Sequence, residues 1–296
     1  MQKDGSLPGG ADRDTVAIDV AAAAFDLFDA YEGALRPFFG MVMRSTTLRW
    51  FSVPNAGLDS PVFTAVLERG VRLTNAHVTD IPISEFVLRS VLDHYQQAER
   101  WRDAQRRRAW DRHQFREVAG TTWLIVGLGT IGQAVAVRAK AFGARVIGCR
   151  RNPTGTEPVD AVVAPNDLLS ALPSADVVVL SLPSSPETPP LVDATFLASM
   201  AEGSVLVNIA RGSLVDEGAL LSALRQGRPA AAILDVTVTE PLPKKSALWS
   251  HPNVILTPHN SAGGFARYER YDDLLVDNLG RYARGEPLRN EVSIPR

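Results

Sequence analysis

The chain has 296 residues, a hydrophobic share of 45%, a charged share of 22% and a formal net charge of -2. That length suits two domains with a cleft between them, and so balanced a charge gives no basis for a nucleic-acid partner. One cysteine, Cys149, rules out an internal disulfide and a cysteine-rich metal site, which points to a cytoplasmic protein without metal. No apolar run reaches the ~20 residues that span a bilayer, and residues 1–14 are polar and Gly-rich, unlike an export signal.

In chain order, no strand is legible before Asp19, and the alanines at 21–24 favour a helix by propensity. Residues 48–52 and 71–75 predict two buried strands. The pattern from Ser84 to about Trp110 predicts one long helix ending in an Arg-rich arm. There Glu99, Asp103 and Asp111 interleave with Arg100, Arg102, Arg106, Arg107 and Arg108, which marks a solvated face. From Thr122 onward, short β-branched runs alternate with helical stretches, as in βα units on a parallel sheet. Strands are predicted at 123–126, 145–149, 176–181, 205–209, 233–236 and 254–256, with Asp216 capping a helix over 217–226 and Gly227 ending it. The result is an α/β chain with a doubly wound parallel (Rossmann) sheet, whose ligands bind at the carboxyl ends of the strands. Residues 263–285 are helical in pattern, with Tyr268, Tyr271, Leu275 and Leu279 near one face, and are expected to pack back on the first domain. The expected division is 98–266 for the dinucleotide domain, with 1–97 and 267–296 forming a smaller, discontinuous one.

Val126-Gly127-Leu128-Gly129-Thr130-Ile131-Gly132 follows a predicted strand and opens a helix. In that context glycines allow the tight turn, the approach of backbone N–H groups to a pyrophosphate, and close helix–strand packing. Gly127, Gly129, Thr130, Ile131 and Gly132 are thereby assigned to a dinucleotide. At the end of the second strand an acidic side chain would bond the ribose diol of NAD, but the chain reads Cys149-Arg150-Arg151-Asn152. Two guanidiniums suit a 2′-phosphate, so NADP(H) is preferred, with NAD(H) still usable.

Three further strand ends carry candidates for chemistry. Arg211 stands in Asn208-Ile209-Ala210-Arg211-Gly212, Glu240 ends Asp235-Val236-Thr237-Val238-Thr239-Glu240, and His259 lies in Thr257-Pro258-His259-Asn260-Ser261. Reduction of a 2-oxoacid needs a cation for the carboxylate and a proton donor for the carbonyl, and these residues supply both, with Glu240 to orient the imidazole. Taken singly each is more often structural than catalytic; the set at successive strand ends is harder to explain so. His77, His94, His113 and His251 have no metal-ligand partners at useful spacing and receive no catalytic role.

With the glycine turn, these signatures resemble the D-2-hydroxyacid dehydrogenase family over about 48–290. The change from Asp to Arg after the second strand and the ending Asn278-Leu279-Gly280-Arg281-Tyr282 with Gly285-Glu286-Pro287-Leu288 are most similar to its glyoxylate/hydroxypyruvate reductase branch. The resemblance implies that Arg211 binds the substrate carboxylate, that His259 is the general acid paired with Glu240, and that Asp235 holds the nicotinamide amide, with Ala210 also at the cofactor. It implies a substrate loop at Asn55-Ala56-Gly57-Leu58-Asp59, with Ala56 and Gly57 as donors, and a cofactor loop starting at Ser181 with Leu182 and Pro183. The Pro189-Pro190 that follows departs from the family pattern. The small domain is expected to be flavodoxin-like but incomplete at its amino terminus, and the molecule a homodimer joined through the cofactor domains, with the 84–110 helix as a contact. A competing expectation is a nucleotide-binding protein that works through partners without turnover, like the related corepressors. A relative acting on formate or phosphite is a third.

Overall fold

The computed structural model describes residues 16–29, 32–55, 57–58, 60–183 and 189–292, together with Leu7 and Asp12. Strands in chain order are β1 Val20–Ala22, β2 Trp50–Ser52, β3 Arg72–Thr74, β4 Thr122–Val126, β5 Arg145–Cys149, β6 Ala161–Val163, β7 Val177–Leu180, β8 Val205–Asn208, β9 Ala231–Leu234, β10 Val254–Leu256 and β11 Glu291–Val292. The chain divides into two compact units, Met1–Thr79 with Gly264–Arg296, and Asp80–Gly263.

In the second unit seven parallel strands follow the order β10-β9-β8-β7-β4-β5-β6. Alternation along each strand sends successive side chains to opposite faces. Trp123, Ile125, Val177, Val179, Val205 and Val207 pack with Val87 and Val91 of the helix Asp80–Tyr95 and with Val135 and Ala139 of the helix Thr130–Ala141. Leu124, Val126, Val178, Leu180 and Leu206 pack on the other face with Leu172, Phe196, Met200 and Leu220. Helices therefore cover both faces, which is why the strands read as unbroken apolar runs. The chain reverses direction across the sheet between β4 and β7, and this switch point leaves a crevice at the strand ends.

Several expectations need correction here. The predicted helix over 84–110 is two helices, Asp80–Tyr95 and Ala98–Arg106, with Gln97 between them in the left-handed region at φ 53°. The first of these buries Ile83, Val87, Val91 and Tyr95 in the core of the second unit, so the division falls after Thr79 rather than after 97. The strand expected at 233–236 runs from Ala231 to Leu234, because its register is set by pairing with β8 and β10 and not by β-propensity. Asp216 caps a helix that ends at Leu224, two residues before the expected end.

The first unit holds a four-stranded sheet of order β1-β2-β3-β11, with β1 to β3 parallel and β11 antiparallel to β3. Residues 20–22 therefore form a strand where the alanines at 21–24 favoured a helix. Val20, Ala21 and Ala22 pair with Trp50, Phe51 and Ser52, and the buried Ala21 and Ala23 pack in the core that contains Phe51. The helix preference of alanine is worth well under about 1 kcal/mol per residue, and pairing with a buried strand outweighs it. Trp50 is fully buried and its indole N–H donates to Thr74 Oγ1 at 2.9 Å. On the helix Arg267–Ala283 the inward face carries Tyr271 and Asn278, whereas Leu279, expected to face inward, is 44% exposed. Tyr271 donates to Ser52 Oγ at 3.2 Å, and Asn278 holds the returning chain by accepting from Arg289 N at 2.8 Å. Among the described residues no helix is long and apolar enough to cross a membrane, and no group of three or more His, Cys, Asp or Glu is placed to hold a metal ion.

Candidate functional site

The glycine turn sits at the switch point. Gly127 has φ 101°, and a Cβ there would lie 2.5 Å from the Ser181 carbonyl oxygen. A Cβ on Gly132 would lie 2.0 Å from the Gly127 oxygen, which also accepts from Ser181 Oγ at 2.8 Å. Those two glycines are thus required for the ends of β4 and β7 to meet the helix Thr130–Ala141. Gly129 differs: nothing lies within 4 Å of its Cβ position, so the helix N-terminus faces open space. Backbone N–H groups there fit the pyrophosphate of a dinucleotide. Arg150 and Arg151 follow directly on β5, beside β4 in the sheet. Leu182 is partly buried against the core and Pro183 is exposed; residues 184–188 lie outside the described residues.

The three remaining candidates stand on loops at the ends of the neighbouring strands β8, β9 and β10. Buried Asn208 shapes the first loop by accepting from Ala210 N at 3.0 Å and donating to the Arg211 carbonyl at 2.9 Å. Arg211 follows, half-buried, with Nη1 donating to the Ala210 carbonyl at 2.7 Å. Gly212 packs directly on the second loop: a Cβ there would fall 2.0 Å from Thr237 C and 2.4 Å from Val238 N. The Arg211 loop and the Glu240 loop therefore touch through their backbones.

Glu240 accepts from Thr237 N at 3.0 Å through Oε1 and meets His259 Nδ1 at 2.7 Å through Oε2. An ionised carboxylate only accepts, so Nδ1 carries the proton and Nε2 is left as the exchangeable position. The two side chains are 50% and 38% exposed, so a small molecule can reach the imidazole. His259 has φ 51°, an uncommon conformation for a residue with a Cβ. Asp235 holds it there. Its carbonyl accepts from His259 N at 2.8 Å, and its carboxylate, 2% exposed, accepts from Thr257 Oγ1 at 2.7 Å, Asn260 N at 2.8 Å and Ser261 N at 3.1 Å. The loop-holding bonds of Asp235 and the close approach at Gly212 were not readable from the motifs. The one available signal was the recurrence of small or polar residues beside the charged ones.

In the first unit Gly57 of the expected substrate loop is half-buried, while Ala56 and Asp59 lie outside the described residues.

Residues 88–261 match the family described as D-isomer specific 2-hydroxyacid dehydrogenase, NAD binding domain. The chain is 32% identical over 265 residues to a D-3-phosphoglycerate dehydrogenase of Methanocaldococcus jannaschii, an alignment covering 86% of this chain and 49% of that protein. It thus spans about half the length of that relative. It is 31% identical to glyoxylate/hydroxypyruvate reductase A of Serratia proteamaculans, over 77% of this chain and 75% of that one. Among solved structures, an NADPH-dependent glyoxylate/hydroxypyruvate reductase of Sinorhizobium meliloti, crystallised with NADP and sulfate, superposes with a TM-score of 0.78 at 28% identity, covering 97% of this chain and 88% of that one. The chain belongs to the D-isomer specific 2-hydroxyacid dehydrogenase family.

Proposed function

We propose that the protein reduces a small 2-oxoacid of the glyoxylate or hydroxypyruvate kind to the 2-hydroxyacid with NADP(H). The observation that carries this reading is the 2.7 Å His259–Glu240 pair on loops next to that of Arg211, in the sheet that also bears the glycine turn. When bound, the nicotinamide cofactor supplies the hydride. Arg211 binds the substrate carboxylate, and its cation draws electron density from the adjacent carbonyl. His259 delivers the proton to the carbonyl oxygen from Nε2, while Glu240 fixes the orientation of the ring through Nδ1. Asp235 holds the His259 loop and, on this reading, the nicotinamide amide; Ala210, Leu182 and Pro183 line the cofactor.

NADP(H) is favoured because Arg150 and Arg151 stand where the ribose of the adenosine half is read, and because the Sinorhizobium relative was solved with NADP. A homodimer is supported by three aromatic side chains exposed within 98–116, where Trp110 is 95% exposed and Trp101 and Phe115 are 38% and 44% exposed. Trp110→Asp should halve the mass seen by light scattering.

The decisive assay follows the loss of reduced-nicotinamide absorbance, with NADPH and NADH in parallel, against glyoxylate, hydroxypyruvate, a bulky 2-oxoacid and the oxidised form of D-3-phosphoglycerate. Turnover that prefers NADPH and falls by about 10²-fold or more in His259→Ala supports the proposal. Cofactor binding without turnover on any of these acids refutes it and favours a nucleotide-binding protein acting through partners.

A further inference from the structure

The two arginines after β5 have different surroundings. Arg150 is committed: its Nη1 donates to the Leu128 carbonyl at 3.2 Å and to Glu157 Oε1 at 3.2 Å, tying the glycine turn to the loop that follows. Its backbone N–H also donates to the Val163 carbonyl at 3.2 Å. The Glu157 side chain is 2% exposed and accepts from Thr154 N at 2.6 Å, Thr154 Oγ1 at 2.9 Å and Gly155 N at 2.9 Å. These donors, the Thr154 N–H foremost, hold its carboxyl down at about 2, so it is ionised at any pH where the protein works. Arg151 is exposed and has no hydrogen bond or ion pair among the described residues.

An incoming phosphate that drew Arg150 away would leave a buried carboxylate without its cation, and breaking such a pair is costly. The same carboxylate cancels much of the field of Arg150 toward an anion. Arg151 carries neither penalty.

We propose that Glu157 is a positioning residue that locks Arg150 into the wall of the adenosine site and leaves Arg151 as the residue that binds the 2′-phosphate. This rests on the NADP(H) reading above. Isothermal titration calorimetry of the full chain with 2′-phospho-ADP-ribose and ADP-ribose isolates the phosphate, since the two ligands differ in nothing else. The wild type binds the phosphorylated ligand about tenfold or more tightly, the size of a charge-assisted bond. Arg151→Ala brings the ratio near one and leaves ADP-ribose affinity unchanged, and Arg151→Lys restores part of the ratio. Arg150→Ala and Glu157→Ala weaken both ligands together and keep the ratio. A ratio retained in Arg151→Ala, or lost equally in Arg150→Ala, overturns the division of roles while the cofactor preference stands. A wild-type ratio near one overturns the cofactor preference itself. Arg151 is exposed, so its two variants decide the matter even if those at Arg150 and Glu157 prove unstable.

Discussion

Gly212→Ala adds one methyl group at the point where the Arg211 loop meets the Glu240 loop. The new Cβ would lie 2.0 Å from Thr237 C, 2.1 Å from Thr237 O and 2.4 Å from Val238 N, all backbone atoms that cannot rotate away. Ordinary contact needs about 3.4 Å or more, so the loops must part by roughly an ångström. Overpacking of this kind costs about 1–3 kcal/mol of stability. Displacing a reacting group by about 1 Å costs about 10²-fold in rate. Arg211 and the Glu240–His259 pair lie on opposite sides of this contact, so kcat/KM for 2-oxoacid reduction should fall by about 10²-fold. The dinucleotide turn is on other strands, so affinity for ADP-ribose should be kept. Gly33→Ala, a helical glycine with nothing within 4 Å of its Cβ position, is the matched control and should be neutral or slightly stabilising. The measurements are steady-state turnover, ligand calorimetry and urea denaturation of both variants. If Gly212→Ala unfolds at the wild-type midpoint and turns over at the wild-type rate, the two loops are not in contact and the reasoning fails.

Gly129→Ala should leave the denaturation midpoint unchanged, since its Cβ meets open space, yet weaken ADP-ribose binding because that space receives the pyrophosphate; unchanged calorimetric affinity would count against the cofactor site. Asp235→Ala strands the donors of Thr257, Asn260 and Ser261 and should cost about 3 kcal/mol in urea denaturation with a parallel loss of turnover; wild-type stability would show that the carboxylate does not hold the His259 loop. Thr74→Val removes the acceptor of the buried Trp50 indole and should cost about 1–3 kcal/mol, read from the same denaturation. Arg72 donates to both Glu291 oxygens at 2.7 and 2.8 Å, which holds that carboxyl below its ordinary 4.5. A depressed folded value stabilises the protein above 4.5 and is lost as pH falls through the folded value, so the wild-type advantage over Glu291→Gln should be present at neutral pH and vanish well below 4.5. Both partners are about a third exposed, so that advantage stays under about 1 kcal/mol, and an advantage independent of pH would refute the pairing.

The glycine turn, the parallel strands and the charged residues at their ends are legible in the sequence because each depends on a few neighbouring residues. Glycines at fixed offsets set a turn, β-branched runs set strands buried on both faces, and a cation, a carboxylate and an imidazole announce their chemistry by type. Interactions between distant segments decided the rest. β1 forms at alanines that favour helix because Trp50–Ser52 offers a partner for its backbone, and β9 takes its register from β8 and β10. The helix breaks at Gln97 although glutamine is a good helix former, with the core face of Ile83, Val87, Val91 and Tyr95 ending just before it. Glu157 and Gly212 look like ordinary loop residues until the chain has folded, since one acts through Arg150 and Leu128 and the other through the backbone of Thr237. Local sequence carries propensity, turn chemistry and reactive groups; register and the fit of one loop on another arise only when segments far apart in the chain meet.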